Sequence, residues 1–243
     1  MILLIHTLGN RDLQFPKEVG IPSGFARKYL ADNTEKGAED FLVIRKSGEK
    51  KEPSFRDVSR KIQDEIRHGK HKEIFTEALR FPMLEQVCRY VLTQKGQIDR
   101  LILCTTLQTP PHGQDTDLVA EMARDYFRRE KPQFPGLKEI RIEYMNIAPY
   151  GRGRDESLRY FHEMIEEQKT QGFDQLYISH NQGLPTATRA LDFLGLFQDY
   201  TYLSIHPQNG VSVVDNAVYE SILSELIKDR LGEIIREASL GKG

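Results

Sequence analysis

Six short apolar runs alternate with longer amphipathic stretches along this chain, and that alternation limits its fold more than any other feature. The runs are residues 2–6, 41–44, 101–105, 140–145, 175–179 and 201–205. Most of them lack a clean in–out alternation, as strands buried on both faces do. Between them lie helical patterns. Residues 56–67 place Val58, Ile62 and Ile66 on one face, and residues 73–94 do so with Ile74, Leu79, Leu84, Val87 and Val91. Pro82 is expected to kink or split the second stretch, because proline offers no backbone donor to a helix interior. Residues 117–129, 156–170 and 184–194 complete the helical set. Strand–helix alternation of this kind predicts an α/β fold with a mostly parallel sheet and helices on both faces. Pro207-Gln208-Asn209-Gly210 predicts a tight reversal into residues 211–214, hence a C-terminal hairpin. A long helix is expected over residues 217–238, its apolar stripe covered by the body of the domain or by a second chain. Residues 33–51 are read as containing a hairpin or an exposed strand. The simplest division is one domain over residues 1–214 and a terminal helix over 215–243.

Composition removes several classes of function. The chain has 243 residues, enough for a substantial core, and no apolar run approaches a membrane span. Residues 1–5 are apolar but too short for a signal peptide and suit a first buried strand. Two cysteines, Cys88 and Cys104, make neither a disulfide framework nor a zinc cluster, so a cytoplasmic setting is expected. A formal net charge of −2 supplies no broad basic field, so duplex DNA is not an expected partner, nor is a membrane. A compact anionic ligand at a local site is compatible with that balance.

In open α/β sheets ligands collect outside the carboxyl ends of the strands. Three such ends here are polar and turn-rich: His6 to Asp12, Thr105 to Asp117, and Ser179 to Thr188. The third reads as a strand running through a turn into a helix, with Gly183 suited to the turn and Pro185 to the first helical turn. Such a helix start directs N–H groups outward, where an anion is favoured. Bland readings stand beside these. Gly9 and Asn10 also suit a plain turn, Asp115 or Thr116 a helix cap, and Arg11 a surface ion pair with Asp12. His6, inside a strand, is read as structural, and a histidine such as His180 is more often structural than catalytic. The dinucleotide fingerprint, the P-loop, the G-x-S-x-G elbow and metal-ligand spacings are all missing, so no cofactor or metal is expected.

Thr7-Leu8-Gly9-Asn10-Arg11, then Thr105-Thr106 with the later Asp115-Thr116-Asp117, then Ser179-His180-Asn181-Gln182-Gly183-Leu184-Pro185, taken in that order, resemble the CRISPR-associated Rossmann-fold family, the CARF domains. The resemblance covers residues 1 to about 214. It implies a Rossmann-like sheet and a homodimer in which two copies of the strand-end cleft bind a cyclic oligoadenylate, the messenger of type III CRISPR antiviral defence. Thr7, Gly9, Asn10 and Arg11 would line the site from the first strand, and Thr105, Thr106 and Gln108 from the central one. Ser179, His180, Asn181, Gln182 and Gly183 would cradle phosphate and ribose. Many members carry a HEPN ribonuclease with an arginine and a histidine four to six residues apart in between, a spacing not found here. The resemblance therefore points to a stand-alone member or a sensor whose effector is a separate chain. Residues 217–238 would be the dimerising or linking element. The alternative to a pure sensor is a metal-independent ring nuclease. In that reading a ribose 2′-hydroxyl attacks the adjacent phosphorus and leaves a 2′,3′-cyclic phosphate. Arg11 would stabilise charge, Ser179 would position a phosphate oxygen, and His180 would assist proton transfer. A transcription regulator is a weaker reading, since no basic helix–turn–helix is found.

Overall fold

A computed structural model describes residues 1–33, 40–45, 53–146, 153–179, 185–195, 200–206 and 210–214. In chain order its elements are β1 (Ile2–Thr7), β2 (Gln14–Pro16), α1 (Ser23–Tyr29), β3 (Leu30–Asp32), β4 (Phe41–Ile44), α2 (Phe55–His68), α3 (Lys72–Ala78), α4 (Pro82–Lys95), β5 (Ile98–Thr106), α5 (Asp117–Arg129), β6 (Leu137–Met145), α6 (Gly153–Thr170), β7 (Gln175–Ser179), α7 (Pro185–Gly195), β8 (Tyr200–His206) and β9 (Gly210–Val213). The helix expected over 217–238 and the turn at 207–209 lie outside the described residues.

The main sheet has six strands in the order β6-β5-β1-β7-β8-β9. All neighbours are parallel except β8 and β9, which form the expected antiparallel hairpin pairing, with Leu203 opposite Val213. Every residue of β1 is buried, which explains its unbroken apolar run. Its alternate side chains enter two separate cores. Leu4 joins Leu101 and Leu103 against Ile62, Leu84, Val119 and Phe127 of the helices α2, α4 and α5. Leu3 and Ile5 join Ile102 against Phe161, Ile165 and Leu191 of α6 and α7. Helices thus cover both faces, and the fold is Rossmann-like.

Residues 41–44 form a strand outside the main sheet. They are the middle strand of a three-stranded antiparallel sheet, β2-β4-β3, inserted between β1 and α2. Phe15 of β2 meets Phe75 of α3 edge-on at 6.1 Å between ring centroids, so the insertion shares the core of the first face. Pro82 splits the long helical pattern as its chemistry requires. α3 stops at Ala78, and Pro82 opens α4 where no intrahelical donor is needed. Gly96 closes α4 in the left-handed conformation, φ 77°, which a side chain would strain.

At the amino ends of the strands Asp99 joins three chain segments. Its carboxylate accepts from the Ile2 backbone N–H at 2.7 Å and from Lys138 Nζ at 2.6 Å. Lys138, then the Ile2 N–H, hold the Asp99 carboxyl below the ordinary aspartate range. A depressed folded-state pKa stabilises the fold fully above the unfolded value and loses that contribution as pH falls through the folded value. Asp99→Asn is therefore expected to lower unfolding free energy by on the order of 1 kcal/mol near neutral pH. The gap to the wild type should close as acid titrates the wild-type carboxyl. Urea denaturation at a series of pH values checks both points, and a pH-independent gap would contradict them.

Candidate ligand-binding site at the carboxyl ends of the strands

From β1 the chain passes to β5 and β6 with its helices on one face. It then returns to β7 and β8 with helices on the other. The adjacent strands β1 and β7 therefore flank a topological switch point, where the loops leaving the sheet diverge and open a crevice. The loops after β1 and β5 emerge there side by side. His180, Asn181, Gln182 and Gly183, which follow β7, lie outside the described residues.

A buried polar chain braces the crevice from beneath. The Asp12 carboxylate bonds His6 Nε2 at 3.0 Å, and His6 Nδ1 bonds Ser179 Oγ at 3.2 Å. All three residues are fully buried. A carboxylate only accepts, so the neutral imidazole carries its proton on Nε2 and takes the Ser179 hydroxyl proton at Nδ1. The second Asp12 oxygen accepts from the Gly9 N–H at 2.7 Å. Asp12 is thus committed to His6 and the turn backbone. His6 has the structural role expected of it, and Ser179 Oγ faces His6 inside the protein.

The end of β5 is tied down by hydroxyls and one carboxylate. Thr105 Oγ1 and Thr116 Oγ1 lie 2.7 Å apart, the Thr106 N–H donates to Thr116 Oγ1 at 3.2 Å, and the Thr116 N–H donates to Thr106 Oγ1 at 3.1 Å. Thr116 stands at the N-cap of α5, yet its hydroxyl makes no cap bond and turns back to the strand. Asp115, fully buried, accepts from the N–H groups of His112 (2.7 Å) and Gln108 (3.0 Å) and from Gln108 Nε2 (3.2 Å). It closes the loop instead of capping the helix. The first turn of α5 is fixed by Asp117, which takes Nε and Nη2 of Arg56 at 2.9 and 2.8 Å. That bidentate pairing, opposed by partial burial, raises the Arg56 pKa.

The expected site residues separate into two groups. Thr105, Thr106 and Ser179 belong to the buried framework, as do Gly9 and Thr7, whose Oγ1 is buried without a hydrogen-bond partner. Gln108 is half-buried and engaged with Asp115. Asn10 and Arg11 line a cleft of about 540 Å³ between the β1 loop, the start of α2 and the small sheet. Asn10 Nδ2 donates to Gln114 Oε1 at 3.1 Å, which bridges the β1 and β5 loops at the cleft wall. Asn33, Arg45 and Gln114 also line the cleft and were not anticipated. Strands of three and four residues leave too short a pattern to reveal that wall. No helix among the described residues is long and apolar enough to cross a membrane.

Comparison with protein-family models, with curated proteins and with solved structures finds no match to this chain. The fold and the crevice define the class: a Rossmann-like α/β protein with a polar cleft beside its switch point.

Removing Asp12 leaves the His6 Nε2–H and the Gly9 N–H unpaired in the interior. Asp12→Ala is expected to cost about 2 kcal/mol or more of unfolding free energy, read from urea denaturation. A change within about 0.5 kcal/mol, the range of ordinary surface substitutions, would contradict the bracing role.

Proposed function

We propose that this chain binds a cyclic oligoadenylate messenger of type III CRISPR antiviral defence across a homodimer and acts as its sensor. The observation that carries the reading is the placement of Asn10 and Arg11 on an open cleft at the switch point, beside the loop that follows β5. That is where phosphate-bearing ligands collect in open α/β sheets. A guanidinium pairs with phosphate bidentately, and the amides of Asn10 and Gln114 suit ribose hydroxyls and base edges. The ordered resemblance of the three strand-end motifs to CARF domains supports the same ligand. A ring of repeated nucleotides matches the self-complementary surface of a two-fold dimer. Residues 217–238 or a separate effector chain would transmit the bound state.

Ring cleavage is the second reading, favoured by the same arginine. In-line attack of a ribose 2′-oxygen forms a new P–O bond as the P–O5′ bond breaks, and the proton lost from the 2′-hydroxyl is balanced by one delivered to O5′. A guanidinium at the cleft offsets the charge that builds on the phosphoryl oxygens.

The test incubates the protein, with EDTA present, with labelled cyclic tetra- and hexa-adenylate, following binding on native gels and products by chromatography. The sensor reading predicts retention of an intact ring and at least about tenfold weaker binding by Arg11→Ala. Linear products ending in a 2′,3′-cyclic phosphate, lost in Arg11→Ala, would instead establish the nuclease. Absence of binding to either ring would overturn both.

A further inference from the structure

The cleft continues from Arg11 beneath the small sheet, and its chemistry there differs from that of its mouth. The floor is apolar, with Ile44 and Phe55 each 5% exposed and Val43 beside them. Asn33 stands on its wall at 4% exposure. The Asn33 backbone N–H is used by the Phe41 carbonyl at 2.9 Å, but its carboxamide has no hydrogen-bond partner among the described residues. A polar side chain that deeply buried is normally paired, so an unpaired one facing a cavity marks a place for a ligand. At the rim Arg45 is held by Nη2 donating to the carbonyls of Arg27 (3.2 Å) and Leu30 (3.0 Å), while Asp32 pairs with Lys17 at 3.4 Å.

A carboxamide presents one donor beside one acceptor. Its complement is an exocyclic amino group next to a ring nitrogen, the arrangement on both polar edges of adenine. A flat heterocycle over Ile44, Val43 and Phe55, edge-on to Asn33, would leave its ribose and phosphate directed along the cleft that Arg11 also lines. A volume of about 540 Å³ falls in the usual range for such sites. We propose that this part of the cleft is an adenine subsite, with Asn33 pairing to the base and Arg11 to its phosphate. The choice of adenine rests on the oligoadenylate reading above, whereas the pairing by Asn33 rests on the cavity alone.

The test uses the full chain with 5′-AMP and 5′-GMP as probes in saturation-transfer NMR, and the two cyclic adenylates on native gels. The wild type should prefer AMP. Asn33→Asp, which can only accept, should weaken AMP by about tenfold or more and shift preference toward GMP, whose N1–H and amino group both donate. Asn33→Ser, smaller and neutral, should weaken AMP without favouring GMP, and it keeps the test decisive if the aspartate variant does not fold. Equal binding of AMP and GMP by the wild type, no AMP binding, or unchanged AMP affinity in the variants would overturn the subsite. If both cyclic adenylates bind the variants as tightly as the wild type, the subsite fails while the sensor reading stands. If AMP binds through Asn33 and neither ring binds, the sensor reading fails while the subsite stands.

Discussion

The hydrogen-bonded chain Asp12–His6–Ser179 is the contact on which the arrangement of the crevice depends. It crosses between β1 and β7 at the switch point, where the sheet divides its crossovers between two faces. Polar groups taken this far from water are costly unless fully paired, and here each member has a partner. One end of the chain, through Asp12, also holds the Gly9 N–H and so fixes the turn that presents Asn10 and Arg11. The other end holds the last residue of β7. Two loops that approach the ligand region from different strands are thus set by one buried imidazole.

The same division of labour holds at β5. Thr105, Thr106, Thr116 and Asp115 satisfy one another and the backbone of the loop, leaving the outward positions to Asn10, Arg11 and Gln114. A cleft built on such a framework is ordered before anything enters it, which lowers the entropic cost of binding. The small sheet β2-β4-β3 adds the third wall. Its apolar residues pack into the helix-covered core of the first face, so the cleft is part of the domain's own packing.

Much of this fold is legible in the residues, because the strongest signals are the ones packing obeys. The continuous apolar runs of β1 and β7 become strands buried on both faces, residues 117–129 become α5 with those limits, and Pro82 divides two helices. The small sheet is harder to read. Its strands of three and four residues are too short for a period of two to stand out, and residues 34–39 and 46–52 lie outside the described set. The site is legible in position more than in role. The polar strand ends mark the correct edge, but the sequence does not show that the threonine hydroxyls would bond one another, nor that Asp12 would turn inward to His6 instead of outward to Arg11. Those choices come from burial, which rewards internal pairing of every hydroxyl and carboxylate that the sheet encloses. The contribution of residues 180–183 stands on the resemblance alone.

Hydrogen–deuterium exchange with and without cyclic tetra- or hexa-adenylate tests the central claim, that the ligand occupies the crevice at the switch point. The account predicts new protection in the segments 8–13 and 107–116, with the amino ends of the strands unchanged. Protection absent from those segments, or confined to the groove near Arg128, Lys131 and Lys138 at the start of β6, would contradict it.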